Sequence, residues 1–206
     1  PFFFFKQTPA YPMLRSLVGS EMCIRDSSYD SNRKKVVPWL GLEGKLTPTP
    51  IGFGCPSGYK WPLMIDITTS AMPEGKIRDY MFNNKRLPEK CIVDKFGRFT
   101  DDPKKLYDNS NGAILPLGGT FGHKGYALTI LIEILAGGLT SSGYVNEKNY
   151  KQGNGVLFII IDIEKFIYYE SFIDRTKSFI NYVKKTKTKS NDIEMATRTS
   201  RTKEIP

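Results

Sequence analysis

The chain has 206 residues, 40% of them hydrophobic, which is enough for one well-cored domain and excludes a disordered composition. Its formal charge of +9 is unevenly spread, with +4 on positions 181–206 and +1 on positions 1–27, so the body between is only mildly basic. The late lysines and arginines have only Tyr182 and Met195 as large companions, which reads as a solvated tail and not as an aromatic-basic platform for nucleic acid. No apolar run reaches the roughly 18–20 residues that span a bilayer; the longest, at 126–139, is interrupted by Glu133 and glycines. Cys23, Cys55 and Cys91 have no metal-ligand spacing and cannot all pair. The expectation is a soluble, cytoplasmic protein with no metal, no membrane partner and no nucleic-acid partner.

The chain begins with Phe2, Phe3, Phe4 and Phe5 ahead of Lys6. Charge following the apolar run, with no small-residue cleavage site, argues against a secretory signal. Positions 16–27, Ser-Leu-Val-Gly-Ser-Glu-Met-Cys-Ile-Arg-Asp-Ser, resemble a translated sequencing-library adapter, and positions 2–11 resemble a degraded translation of its primer end. On that reading residues 1–27 are an unstructured artefact, and Cys23 leaves the cysteine count.

Positions 28–35 are polar, a connection into Val36 and Val37. Prolines and glycines across 46–56 forbid a regular helix and limit any strand to an edge or a short piece. A turn at Ser57-Gly58 precedes 61–67, which reads as a buried strand ended by Asp66. Asp66 then either caps or turns into Thr68-Thr69-Ser70, or supplies a carboxylate to a site. From 71 to 83 a helix is expected to start near Ser70, with Pro73 in its first turn, or to break there. Asp94 to Gly97 is turn chemistry between two short extended pieces, and Thr100 can cap a helix through Leu106. Asp101-Asp102 reads as capping residues, with no third ligand for a metal.

Pro116-Leu117-Gly118-Gly119-Thr120-Phe121-Gly122-His123-Lys124-Gly125 then runs straight into an apolar segment. Four glycines, the only histidine of the chain and a lysine sit where a loop becomes a helix. Unpaired N–H groups, a positive helix end and close access to the main chain suit a phosphate there; glycine turns that merely allow close packing have the same spacing. The helix through Ala136 is apolar on every face except Thr129 and Glu133 and is expected to be buried, so Glu133 needs a partner and is assigned a structural role. Positions 155–162 read as a strand buried on both faces. Phe172, Ile173, Thr176, Phe179, Ile180 and Val183 lie at helical spacing, forming an amphipathic cover helix.

Leu115-Pro116-Leu117-Gly118-Gly119 followed by Gly122-His123-Lys124-Gly125-Tyr126 resembles the signature loop of the malate/L-lactate dehydrogenase family. The resemblance extends from about Val37 to Val183. It implies an α/β fold with a mixed sheet and packed helices, of the non-Rossmann dehydrogenase type, present as an incomplete C-terminal portion over 28–183, with 184–206 a basic truncated tail. It implies hydride transfer between NAD or NADP and a 2-oxo or 2-hydroxy acid such as malate or lactate, in a protein that is a homodimer when full length. By matching motif, Gly122, His123, Lys124 and Gly125 hold the cofactor. Thr49 and Pro50 stand where the family carries a Thr-Asn-Pro motif, with threonine in place of the asparagine. Asp66 matches the aspartate that orients the catalytic histidine, which in the family comes from the N-terminal part together with an arginine for the substrate carboxylate and is distinct from His123; neither is expected in the 206 residues. An alternative is a catalytically inactive nucleotide- or anion-binding remnant of the same family.

Overall fold

In the computed structural model the described residues are 2–5, 35–107, 112–140, 143–145 and 155–186. Their core is built on a three-stranded sheet. β4 (Ile92–Val93) pairs antiparallel with both β5 (Phe99–Thr100) and β6 (Ala113–Ile114). An isolated parallel bridge joins Val36 to Ile114, so the pairing is mixed. Alternation of side chains sends Ile92 and Ile114 to one face and Val93 and Ala113 to the other, and both faces are covered. Val36, Met72, Ile77, Leu87, Cys91 and Leu106 pack with Ile92 and Ile114. Val37 and Leu115 pack with Val93 and Ala113. Each fully buried aliphatic side chain here contributes about 1.5–3 kcal/mol relative to exposure.

The turn between β4 and β5 is held by Asp94, whose Oδ1 accepts from the N–H groups of Phe96 (2.9 Å) and Arg98 (3.0 Å). The helix α1 (Glu74–Phe82) begins one residue after Pro73, which is its extended N-cap, so the helix starts later than Ser70. It buries Ile77, while Glu74 pairs with Arg78 at 3.3 Å. The short 3-10 turn Pro103–Leu106 is capped by Asp102, which accepts from the Lys104 N–H at 3.1 Å. Thr100, the expected cap, instead accepts from the Asp102 N–H. Asp101 and Asp102 both pair with Arg86, at 3.2 and 3.6 Å, which accounts for the two acids without a metal.

β2 (Pro50–Cys55) and β3 (Leu63–Thr68) form a two-stranded antiparallel ribbon. Pairing the Pro- and Gly-rich run with a single neighbour leaves both strands as edges, which is where such a sequence is tolerated. The expected buried strand over 61–67 is therefore corrected: Asp66 lies inside β3, opposite Gly52, and Ile65, Asp66 and Ile67 are all exposed.

The apolar segment forms α2 (His123–Ile132) and continues without a break as a π-helical stretch, Glu133–Gly138. Its burial is less than expected: Gly125, Thr129 and Gly137 are buried, whereas Leu131 and Ile134 are exposed, because no described element covers that side. β7 (Leu157–Ile160) is likewise not enclosed on two faces. Among the described residues it pairs only with β1 (Phe2–Phe5), and Ile159 and Ile160 are exposed. Phe2–Phe5 thus carry a strand where the sequence reading expects residues 1–27 to have none; the rest of that segment, and the tail from 187, lie outside the described residues. α3 (Tyr169–Lys184) is amphipathic as expected, with Ile180 buried and Phe172, Ile173, Thr176 and Val183 half-buried, but Phe179 faces outward.

Candidate functional site

Two backbone bonds hold the entrance of the glycine-rich loop against the chain leaving β3. Leu117 N–H donates to the Thr69 carbonyl at 2.7 Å, and Ala71 N–H donates to the Leu115 carbonyl at 2.8 Å, with Ser70 bridged to Pro116. Thr69 and Ser70 are fully buried in this seam. Thr49 enters it from a third direction. Its carbonyl accepts from the Thr69 N–H at 2.9 Å, and the two threonine hydroxyls bond at 2.8 Å.

From Pro116 the chain makes a tight turn through Gly118, at φ +98°, and Gly119, at φ +58°. An L side chain is strained in that conformation, so glycine at 118 is required by the turn itself. A 3-10 turn over Gly119–Phe121 then leads into α2. Gly125 serves contact: a Cβ there would lie 2.2 Å from the Leu117 carbonyl oxygen. The first turn of α2 therefore rests directly on Pro116 and Leu117, and the packing reading of these glycines holds for both Gly122 and Gly125, which are buried.

Packing leaves the polar end of the helix accessible. The first internal helix bond from this turn is Tyr126 N–H to the Gly122 carbonyl, at 2.8 Å, and the N–H groups ahead of it are those a helix leaves without an internal partner. His123 and Lys124 are exposed, and no acidic residue occupies the first turn. Lys124 makes no ion pair among the described residues. The His123 ring meets the Trp39 indole edge-on, with centroids 5.7 Å apart. A cation, the amides of a helix start and a first turn without acidic residues are the donor set an anionic cofactor group needs.

The structure brings together two of the predicted clusters and leaves the third apart. Thr49 and Pro50 reach Gly122, His123, Lys124 and Gly125 through Thr69 and Leu117. Thr49 does so as a buried support with its hydroxyl already bonded, while Pro50 is half-buried at the start of β2. Asp66 is exposed on the ribbon, with no hydrogen bond or ion pair to His123 or to any other described residue. Sequence reasoning passed over Thr69, whose only signal is a threonine run after a strand. It also passed over Trp39, an isolated aromatic in a Pro- and Gly-rich loop.

The groups whose pKa values move lie elsewhere, around β4 and α1 and at Cys55 in β2, where burial raises the thiol. Burial pushes the Cys91 thiol up to about 11, and burial also raises the Tyr107 phenol. Asp94 is held below its usual range, first by the Arg98 N–H, and also by the Phe96 N–H and the Arg98 guanidinium. These belong to the scaffold. Among the described residues no three His, Cys, Asp or Glu side chains group to hold a metal, and no helix is long and apolar enough to cross a membrane.

The comparisons with known proteins agree with one another. The malate/L-lactate dehydrogenase family profile matches residues 22–204. Malate dehydrogenase of Pyrococcus horikoshii is 33% identical over 180 residues, covering 84% of this chain and 49% of that protein. Malate/(S)-sulfolactate dehydrogenase of Methanothermus fervidus is 35% identical over 157 residues, covering 73% of this chain and 44% of that protein. Among solved structures, malate dehydrogenase from Entamoeba histolytica superposes with a TM-score of 0.71 at 27% identity, covering 79% of this chain and 49% of that one. The chain thus spans about half the length of the curated relatives it matches.

Proposed function

The chain belongs to the malate/L-lactate dehydrogenase family, and on that premise we propose that it carries the cofactor-holding part of an oxidoreductase acting on a small 2-oxo or 2-hydroxy acid such as malate or lactate. The observation that carries this reading is the start of α2, where His123 and Lys124 are exposed and the first turn holds no acidic residue. A nicotinamide cofactor, NAD or NADP, supplies or accepts the hydride when bound. Lys124 then acts as a point charge toward its phosphate groups, and the N–H groups of His123, Lys124 and Gly125 donate to them. Gly122 and Gly125 set the helix start close to Leu117, so these donors point from a fixed frame. Thr49 and Pro50 form the second wall, held to that frame through Thr69.

Asp66 takes the remaining chemical role. His123 is the only histidine of the 206 residues. The exposed Asp66 carboxylate, with no described side-chain partner, is therefore available to orient an imidazole contributed by the remainder of the full-length protein and to stabilise its charged form while a proton moves to or from the substrate oxygen. His123, exposed at the first residue of α2 with the Trp39 indole edge-on to its ring, belongs to cofactor binding and not to that proton. The whole protein is a cytoplasmic homodimer on this reading, with neither nucleic acid nor membrane as partner. A second reading rests on Asp66 having no histidine within its bonding reach among the described residues: a domain that binds the nucleotide without turning it over.

The test is to incubate the purified full-length protein with NADH or NADPH and a panel of 2-oxo acids and follow cofactor oxidation. Turnover abolished by Asp66→Asn supports the oxidoreductase. Saturable cofactor binding without turnover selects the second reading, and absence of both rejects each.

A further inference from the structure

The apolar helix carries one acid, and the structure gives it a specific partner. Glu133 sits half-buried at the point where α2 passes into its π-helical continuation. One of its carboxylate oxygens, Oε1, accepts from the Thr47 N–H at 3.4 Å and also from the Thr47 hydroxyl, across 86 residues of sequence. Thr47 is itself buried. A carboxylate on an otherwise apolar helix costs desolvation, and two donors converging on one oxygen offset that cost. A wide turn at this position fits the same demand, since such turns re-aim a side chain without ending the helix.

We propose that Glu133 is a positioning residue that fixes the Thr47–Pro48–Thr49–Pro50 segment relative to the cofactor-binding end of α2; the inference rests on the nucleotide reading above. The connections form a closed ring. Glu133 binds Thr47; two residues on, Thr49 binds Thr69; Thr69 accepts from Leu117; and Leu117 lies against Gly125 in the first turn of the same helix. His123 and Glu133 are ten residues apart, about 15 Å along the axis at 1.5 Å per residue. One helix therefore holds the segment at its far end and presents Lys124 at its near end. The segment is anchored to the scaffold before Thr47 by the Val36–Leu46 bridge and after it by the Thr49–Thr69 contact and the Pro50–Thr68 pairing. Glu133 adds a tie at Thr47 that comes from α2 itself, which couples the position of the segment to the helix that carries Lys124.

The experiment uses the 206-residue chain, its Glu133→Ala and Glu133→Gln variants, and Thr47→Val in case Glu133→Ala does not fold. Amide hydrogen exchange gives a readout that needs no nucleotide. Protection of the Thr47 amide falls at least tenfold in Glu133→Ala while the Ile92 and Ile114 amides keep theirs, and Glu133→Gln, which retains an oxygen acceptor, restores it. NADPH titration of the folded variants gives the second readout: the dissociation constant rises at least fivefold in Glu133→Ala and Thr47→Val, and stays within twofold in Glu133→Gln. A Thr47 amide unchanged by Glu133→Ala overturns the clasp. Lost protection with unchanged nucleotide affinity overturns the positioning role. Wild-type protein that binds neither NADH nor NADPH overturns the nucleotide reading and the positioning role together, with the exchange result still deciding whether the clasp exists.

Discussion

Thr49 and Thr69 share a hydroxyl–hydroxyl hydrogen bond of 2.8 Å while the Thr69 N–H donates to the Thr49 carbonyl at 2.9 Å, so one buried pair of threonines joins the proline-rich segment to the chain leaving β3. Removing one hydroxyl strands the other in a buried seam, at a cost of about 1–3 kcal/mol. Thr49→Val and Thr69→Val are each expected to lower unfolding free energy by that order. The double variant, with neither hydroxyl left unpaired, should lose less than the sum. Urea denaturation of the four proteins checks this.

Gly125→Ala places a methyl group 2.2 Å from the Leu117 carbonyl oxygen, which is backbone and unable to swing aside. Overpacking of this kind costs about 1–3 kcal/mol. Gly119→Ala meets no atom within 4 Å, and its cost comes from the φ of +58° alone, about 1–2 kcal/mol. Gly125→Ala is further expected to weaken cofactor binding, because it moves the helix start and not only its stability.

The Asp94 carboxylate has a pKa below its unfolded value, because its hydrogen bonds from Arg98 and Phe96 and the Arg98 guanidinium favour the charged form. A depressed folded pKa adds stability that is full above the unfolded pKa and is lost as pH falls through the folded one. Acidification through the carboxylate range should therefore destabilise the wild-type protein more than Asp94→Asn. Equal pH slopes for the two proteins, measured by denaturation at stepped pH, would contradict this.

Cys91 is buried against Ile92 and Leu106 with its thiol pushed up to about 11. At pH 8 almost no thiolate is present at that site, and the thiolate is the reacting species. Alkylation of Cys91 should appear only in denaturant. Mass mapping of labelled peptides distinguishes this from reaction in the folded state.

Local chemistry made much of this structure readable in advance. Glycine marked the turn at Gly118, the Asp94–Gly97 turn was evident from its residue types, and the 3.6-residue spacing located α3, whereas α1 starts after Pro73 and not near Ser70. What failed was burial. The run of isoleucines at 159–161 has the composition of an interior strand, yet β7 pairs with a single neighbour and those residues stay exposed. Periodicity reports which residues can be buried, not what is present to bury them. Asp66 was expected to end a strand and instead lies within β3, a register fixed by pairing with β2 that neither segment reveals alone. The partner of Glu133 was invisible for the same reason: a bond across 86 residues leaves no local pattern. Lys124 and the glycines around it were legible because a helix start creates its own chemistry.

The anion seat at the α2 start is tested most directly by titrating NADH and NADPH into the protein and its Lys124→Ala variant, followed by cofactor fluorescence. Saturable binding of at least one nucleotide is expected, competed by inorganic phosphate and weakened about tenfold or more when the charge-assisted contact from Lys124 is removed. Equal affinity in the two proteins, or binding to neither, would contradict the assignment of the α2 start as the anion seat.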